Sequence, residues 1–203
     1  MSHFDAAIGD VAGTLATLEQ QLEHAQAEWI SQIKKFLPDW FRSQARDTVV
    51  DSPDAAASLG QERLSALKRE VEELATATPA LVDELVGVGT WPHTLRDDGG
   101  EPLSPSVIWP ARRGSFQPEE GLRKLLWKLY VIFAKYGIGD KGIMSAGMAK
   151  NQYPYALPDQ GVTGAISARY VDLLGKRYEQ SARLRQLKLD RMKSDVAKQW
   201  DEA

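Results

Sequence analysis

Phe4-Asp-Ala-Ala-Ile8-Gly-Asp-Val11-Ala-Gly-Thr-Leu15-Ala-Thr-Leu18-Glu-Gln-Gln-Leu22-Glu-His-Ala25-Gln-Ala-Glu-Trp29 is the stretch that decides the fold. Its apolar residues at 4, 8, 11, 15, 18, 22, 25 and 29 alternate spacings of four and three. That is the 3.5-residue period of a helix burying a narrow seam against another helix. The stripe predicts a long opening helix with a helical neighbour and carries no chemistry of its own.

Outward from this stretch the same rhythm recurs. The opening helix is expected over residues 2–37, stopping where Pro38 disfavours helical geometry in the residue before it. Pro38 then starts a second helix with Trp40, Phe41, Ala45 and Val49 on one face. Ser52-Pro53-Asp54 reads as an N-cap, a first-turn proline and a first-turn acid, opening a helix with the seam Leu64, Leu67, Val71 and Leu74. Gly60 weakens that helix, and Thr78-Pro79 predicts a separate short helix over 80–86 or a kinked continuation. Pro118-Glu119-Glu120 opens another, with the face Leu122, Leu125, Leu126, Leu129, Phe133 and Tyr136, closed by Gly137. The last helix spans about 162–200. Its apolar face runs Ile166, Tyr170, Leu173, Leu174, Tyr178 and Ala182, and a later one runs Leu189, Met192, Val196 and Trp200.

Two segments lack helical rhythm. In 87–117, Trp91-Pro92 and Trp109-Pro110 flank Asp97-Asp98-Gly99-Gly100 as the arms of a small hairpin would. Residues 137–161 are rich in Gly and Pro. The expected fold is all-α: one domain over 1–203, an elongated helical bundle with long N- and C-terminal coiled-coil-type helices and these two irregular segments at an end.

Composition narrows the function classes. The 203 residues include no cysteine, which excludes disulfides, thiolate metal sites and cysteine nucleophiles, so no disulfide partner is expected. Residues 1–10 hold two acids and no Lys or Arg, unlike a secretory leader. The longest nearly apolar run, 125–134, falls short of the roughly 20 residues needed to span a bilayer. A soluble, cytoplasmic protein is expected. The net charge of −3 hides a gradient: residues 1–118 carry 18 acids against 10 bases, and 119–203 carry 10 against 15. Acidic opening helices beside basic closing ones, within a chain or between chains, would satisfy both halves.

Most motifs fail in context. Gly137-Ile-Gly139-Asp-Lys-Gly142 matches a dinucleotide-loop pattern, but helical periodicity precedes it, so Gly137 reads as a helix C-cap. His3, His24 and His93 are far apart, and neither metal nor cofactor is expected. Glu70, Glu72 and Glu73 lack the second acidic pair a magnesium site would need. Trp29 and Trp127 are expected in the core. Trp91 and Trp109, beside prolines, either pin their loop or anchor a partner. With His93, Arg112 and Arg113 they form the candidate partner-binding set.

The expected function is a non-catalytic coiled-coil interaction module, a subunit or adaptor that meets a protein partner or itself through helical seams. One alternative is a binder of nucleic acid or anionic membrane through Arg177, Arg183, Arg185, Lys188 and Arg191. Another is an enzyme whose loops converge on Asp97, Asp98, Asp140 and Lys141.

Overall fold

Four α-helices hold nearly all of the described residues: α1 (His3–Val50), α2 (Pro53–Leu85), α3 (Glu119–Tyr136) and α4 (Val162–Glu202), with a 3-10 turn at Pro92–Thr94. The structure, a computed structural model, describes residues 3–87, 91–96, 99–101, 119–139 and 162–202, with no strand among them. The fold is all-α, as the periodicity predicts. Contacts divide the chain into two compact units. Unit 1 is Met1–Ala27, Thr90–Phe116 and Ile166–Ala203, and unit 2 is Glu28–Gly89 and Gln117–Ala165. Helix α1 therefore contributes to both.

In unit 1 the opening half of α1 runs antiparallel to α4. Asp5 pairs with Arg191 at 2.7 Å and Glu19 with Arg177 at 2.5 Å, so fourteen residues forward on one helix match fourteen back on the other. The α1 seam is covered: Val11, Leu18, Leu22 and Ala25 are buried, and Phe4, Ile8 and Leu15 are half-buried. On α4, Ile166, Tyr170, Leu173 and Leu174 are buried as expected. Beyond them the face departs from the sequence reading. Arg177 and Ser181 are buried, whereas Tyr178 is half-buried and Ala182 exposed. The buried face steps 170, 174, 177, 181 in the four-three rhythm, and two of its members are polar, which hides it from a hydropathy reading.

In unit 2 the buried stripe of α1 changes rhythm. Trp29, Ile33, Leu37, Phe41 and Ala45, all at most 9% exposed, follow one another at intervals of four. Each step turns the stripe by about 40° around the helix, so it swings through about 160° from Trp29 to Ala45. The helix passes Pro38 without ending, contrary to the boundary expected at residue 37. An internal proline costs roughly 3 kcal/mol. Burying Ile33, Leu37 and Phe41 on either side of it returns roughly 1.5–3 kcal/mol each, which settles the balance. Pro79 is likewise absorbed within α2, between buried Ala75 and Val82, and the fully buried Thr78 turns its hydroxyl onto the Leu74 carbonyl at 2.7 Å.

Helix α2 begins at Pro53 as expected, although the Ser52 side chain makes no capping bond. At Gly60 the backbone leaves the helix altogether, with φ 72° and ψ 168°, a conformation open essentially to glycine alone. Salt bridges Lys34–Asp83 and Arg42–Glu72 tie α1 to α2. Helix α3 packs antiparallel on α2: Gly121 lies against the Leu85 carbonyl at one end, and Tyr136 and Lys135 bond Glu70 at the other. The α3 face read from the sequence is buried throughout. Trp127, expected in the core, is 44% exposed and stacks on Tyr130 at 5.4 Å, on the outer side of that face. Gly137, at φ 67°, ends α3. The Ile138 N–H bonds the Phe133 carbonyl, the Gly137 N–H bonds that of Ala134, and Ile138 is buried, which is the Schellman arrangement.

Candidate functional site

Residues 91–96 of unit 1 are fastened by a buried polar cluster. Trp91, 1% exposed, meets Tyr170 of α4 edge-on at 5.6 Å, and the turn at Pro92–Thr94 brings His93 beside the same ring. The His93 backbone N–H donates to the Tyr170 hydroxyl at 3.1 Å, and His93 Nδ1 lies 2.7 Å from that hydroxyl. The hydroxyl accepts from the backbone and can also donate to Nδ1, the arrangement that suits a neutral imidazole with its proton on Nε2. Arg96 donates to the His93 carbonyl at 2.6 Å and faces Glu19 at 3.7 Å. Glu19 thus answers two guanidiniums, those of Arg96 and Arg177. Arg177 Nη2 is buried without a hydrogen-bond partner.

Burial lowers the His93 pKa from its ordinary 6.5, the nearby Glu19 and Glu23 opposing this and Arg177 and Arg96 adding to it. Burial also raises the pKa of the Tyr170 hydroxyl. The unfolded chain therefore binds a proton at His93 before the folded chain does. The contribution to stability is complete above the ordinary value and is lost as pH falls through the folded one. The urea midpoint is expected to drop between pH 7.5 and 5.5, and to drop less in His93→Gln. Equal drops in the two proteins would contradict the assignment.

Of the residues nominated for partner binding, Trp91 and His93 lie inside unit 1, where they hold their own segment against α4. Trp109, Arg112 and Arg113 lie outside the described residues, as do Asp97, Asp98, Asp140 and Lys141 and most of the expected hairpin. The five cations nominated for polyanions are dispersed. Arg177 is buried against Glu19, and Arg191 is taken by Asp5 and Asp195. Arg183, Arg185 and Lys188 are exposed without an ion pair among the described residues. Two residues advance a helix by about 200°, so Arg183 and Arg185 point to different sides of α4.

The acids on α2 are separated too. Glu70 bonds Lys135 and Tyr136, which hold its carboxyl below the usual range, while Glu72 is held low by Arg42 and Glu73 faces Arg69. Among the described residues no three His, Asp or Glu gather as metal ligands, and no helix is long and apolar enough to cross a membrane.

What the described surface does offer is an apolar stripe on the distal turns of α4. Leu189 is 45% exposed, Met192 and Val196 each 64%, and Trp200 83%, and with Lys193 and Ala197 they border a shallow hollow. In the register set by the two ion pairs, His3 lies level with Lys193. Helix α4 continues nine residues further, about 13 Å, to Glu202. No family model, curated protein or solved structure matches the chain. Its functional reading therefore rests on this surface and on the cluster beside it. The sequence marked the stripe as an apolar face. That α1 does not cover it could not be read there, because α1 pairs with the neighbouring face through Arg177 and Arg191.

Proposed function

We propose that this protein is a non-catalytic helical interaction module, a subunit or adaptor that binds a protein partner or a second copy of itself in a coiled-coil-like pairing. The observation that carries the reading is the exposed stripe Leu189, Met192, Val196 and Trp200. Its steps of three, four and four residues present one helix face, which an amphipathic partner helix would cover. Burying what these four side chains still expose yields at most roughly 6–12 kcal/mol, of the same order as the roughly 4–15 kcal/mol cost of association. The contact is accordingly weak and exchangeable unless a partner extends it. Binding of nucleic acid or anionic membrane is the less favoured reading, since the free cations Arg183 and Arg185 do not share a side of α4.

The test pairs light scattering over a concentration series with crosslinking from a photoreactive residue at position 192 in native extract. The expected result is a mass that rises with concentration, or one dominant crosslinked protein, with either signal lost in Val196→Asp. A chain that stays monomeric and yields no stripe-dependent crosslink would overturn the proposal. So would salt-sensitive RNA or vesicle binding that Val196→Asp leaves intact and Arg183→Glu with Lys188→Glu removes.

A further inference from the structure

A second feature lies in unit 2, where the last turns of α1 and the middle of α2 leave a groove of ≈ 510 Å³. That is the size of an ordinary small-molecule site. Its floor is aliphatic, made by Ala45, Val49, Leu64, Leu67 and Val71, with Val50, 66% exposed, at its end. Its polar groups stand along the rim and are not equivalent. Glu72 takes Arg42 on both carboxylate oxygens, at 2.6 and 2.9 Å, and Arg42 also holds Asp39 at 2.7 Å, so this group is internally satisfied. Arg46 and Lys68 remain on the rim, and neither forms an ion pair among the described residues. Lys68 sits one helical turn from Glu72 and adds to the Arg42 bonds that hold this carboxyl low, without forming an ion pair of its own. The groove is therefore an aliphatic trough with Arg46 and Lys68 on its lip, Lys68 also lying within the field of Glu72.

We infer that the groove binds a single-chain anionic amphiphile, a medium-chain carboxylate whose alkyl tail lies on the aliphatic floor and whose headgroup meets Arg46 and Lys68. The charge selects an acid, and the floor selects a saturated chain over a polar or planar ligand. The wall from Arg42 to Val50 is about 12 Å long. At about 1.2 Å per chain bond this accommodates a tail of about ten carbons. It is short for the three or more turns of a docked helix.

The experiment uses the full chain and sodium decanoate below its micelle concentration, followed by calorimetry and by amide chemical-shift mapping. Saturable one-to-one binding is expected, with shifts centred on residues 42–50 and 64–72. Because each buried methylene contributes about 0.8 kcal/mol, octanoate should bind about fifteenfold more weakly. Decan-1-ol should bind at least tenfold more weakly than decanoate. The double variant Arg46→Glu/Lys68→Glu changes only exposed side chains, and should lose affinity at least tenfold with its thermal midpoint unchanged. Equal binding of decan-1-ol, unsaturable partitioning, shifts centred elsewhere, or full affinity in the double variant would each overturn the inference. So would a groove already filled by a second copy, seen as a dimer that decanoate does not dissociate and that Val49→Asp does.

Discussion

Gly121→Ala is expected to lower the stability of unit 2 by at least about 1–3 kcal/mol, the usual cost of overpacking a close contact. A Cβ at this position would stand 1.8 Å from the Leu85 carbonyl oxygen and 2.9 Å from the Val86 nitrogen. Those atoms are backbone, so no side chain can swing away, and α3 must move off α2. Their neighbours include Val82, Val86, Leu122 and Leu125, all buried, so the displacement opens packing along the helix pair. Thermal unfolding should register the loss at about 2–4 °C per kcal/mol for a chain of this size. Gly175→Ala is the matched control. Gly175 is also inside a helix, but nothing lies within 4 Å of its would-be Cβ, so alanine there should raise stability by about 0.5–1 kcal/mol. Shifts of the same sign in the two variants would refute the close approach.

The Glu19–Arg177 pair should respond just as unequally to its two truncations. Arg177 is 1% exposed and Glu19 about a third exposed. Burial lowers the guanidinium pKa and Glu19 opposes that shift, so the carboxylate is what keeps a charge tolerable at this depth. Removing it strands that charge in the α1–α4 seam. Glu19→Ala is expected to cost about 3 kcal/mol, the lower end for breaking a buried pair because the acid retains some solvent. Arg177→Met replaces the buried charge with an apolar chain and leaves Glu19 facing Arg96, so it should cost far less. The combination Glu19→Leu/Arg177→Met should lie close to the parent protein in urea unfolding. If Arg177→Met proves the more damaging single change, the account of the seam fails.

How far the sequence discloses this molecule varies from helix to helix. The α1 stripe and the α3 face were legible because every member is apolar and the spacing is regular. Gly137 was legible as a terminator because it follows a helical run. Helix α4 was misread beyond Leu174, since its packing face includes Arg177 and Ser181, whose burial depends on Glu19 and Glu101 from distant parts of the chain. Pro38 was overweighted as a boundary for a related reason, whereas the continuation of α2 through Pro79 is one of the two readings the sequence allows. Local geometry opposes both prolines, and only the packing of Leu37, Phe41 and Val82 overrules it. For the candidate surface, the sequence supplied the apolar residues of the α4 stripe but not their exposure. The groove was invisible, because it depends on α2 turning at Gly60 so that residues 64–72 lie beside the end of α1.

The division of α1 between two units also sets an order of events during synthesis. Unit 2 can gather its partners once α3 has emerged, linking residues such as Glu70 and Lys135 that are 65 positions apart. Glu19 must wait for Arg177, 158 positions downstream. Chains made from the N-terminus acquire their most distant contacts last. A nascent chain thus holds the first greasy stripe of α1 uncovered until α4 has emerged.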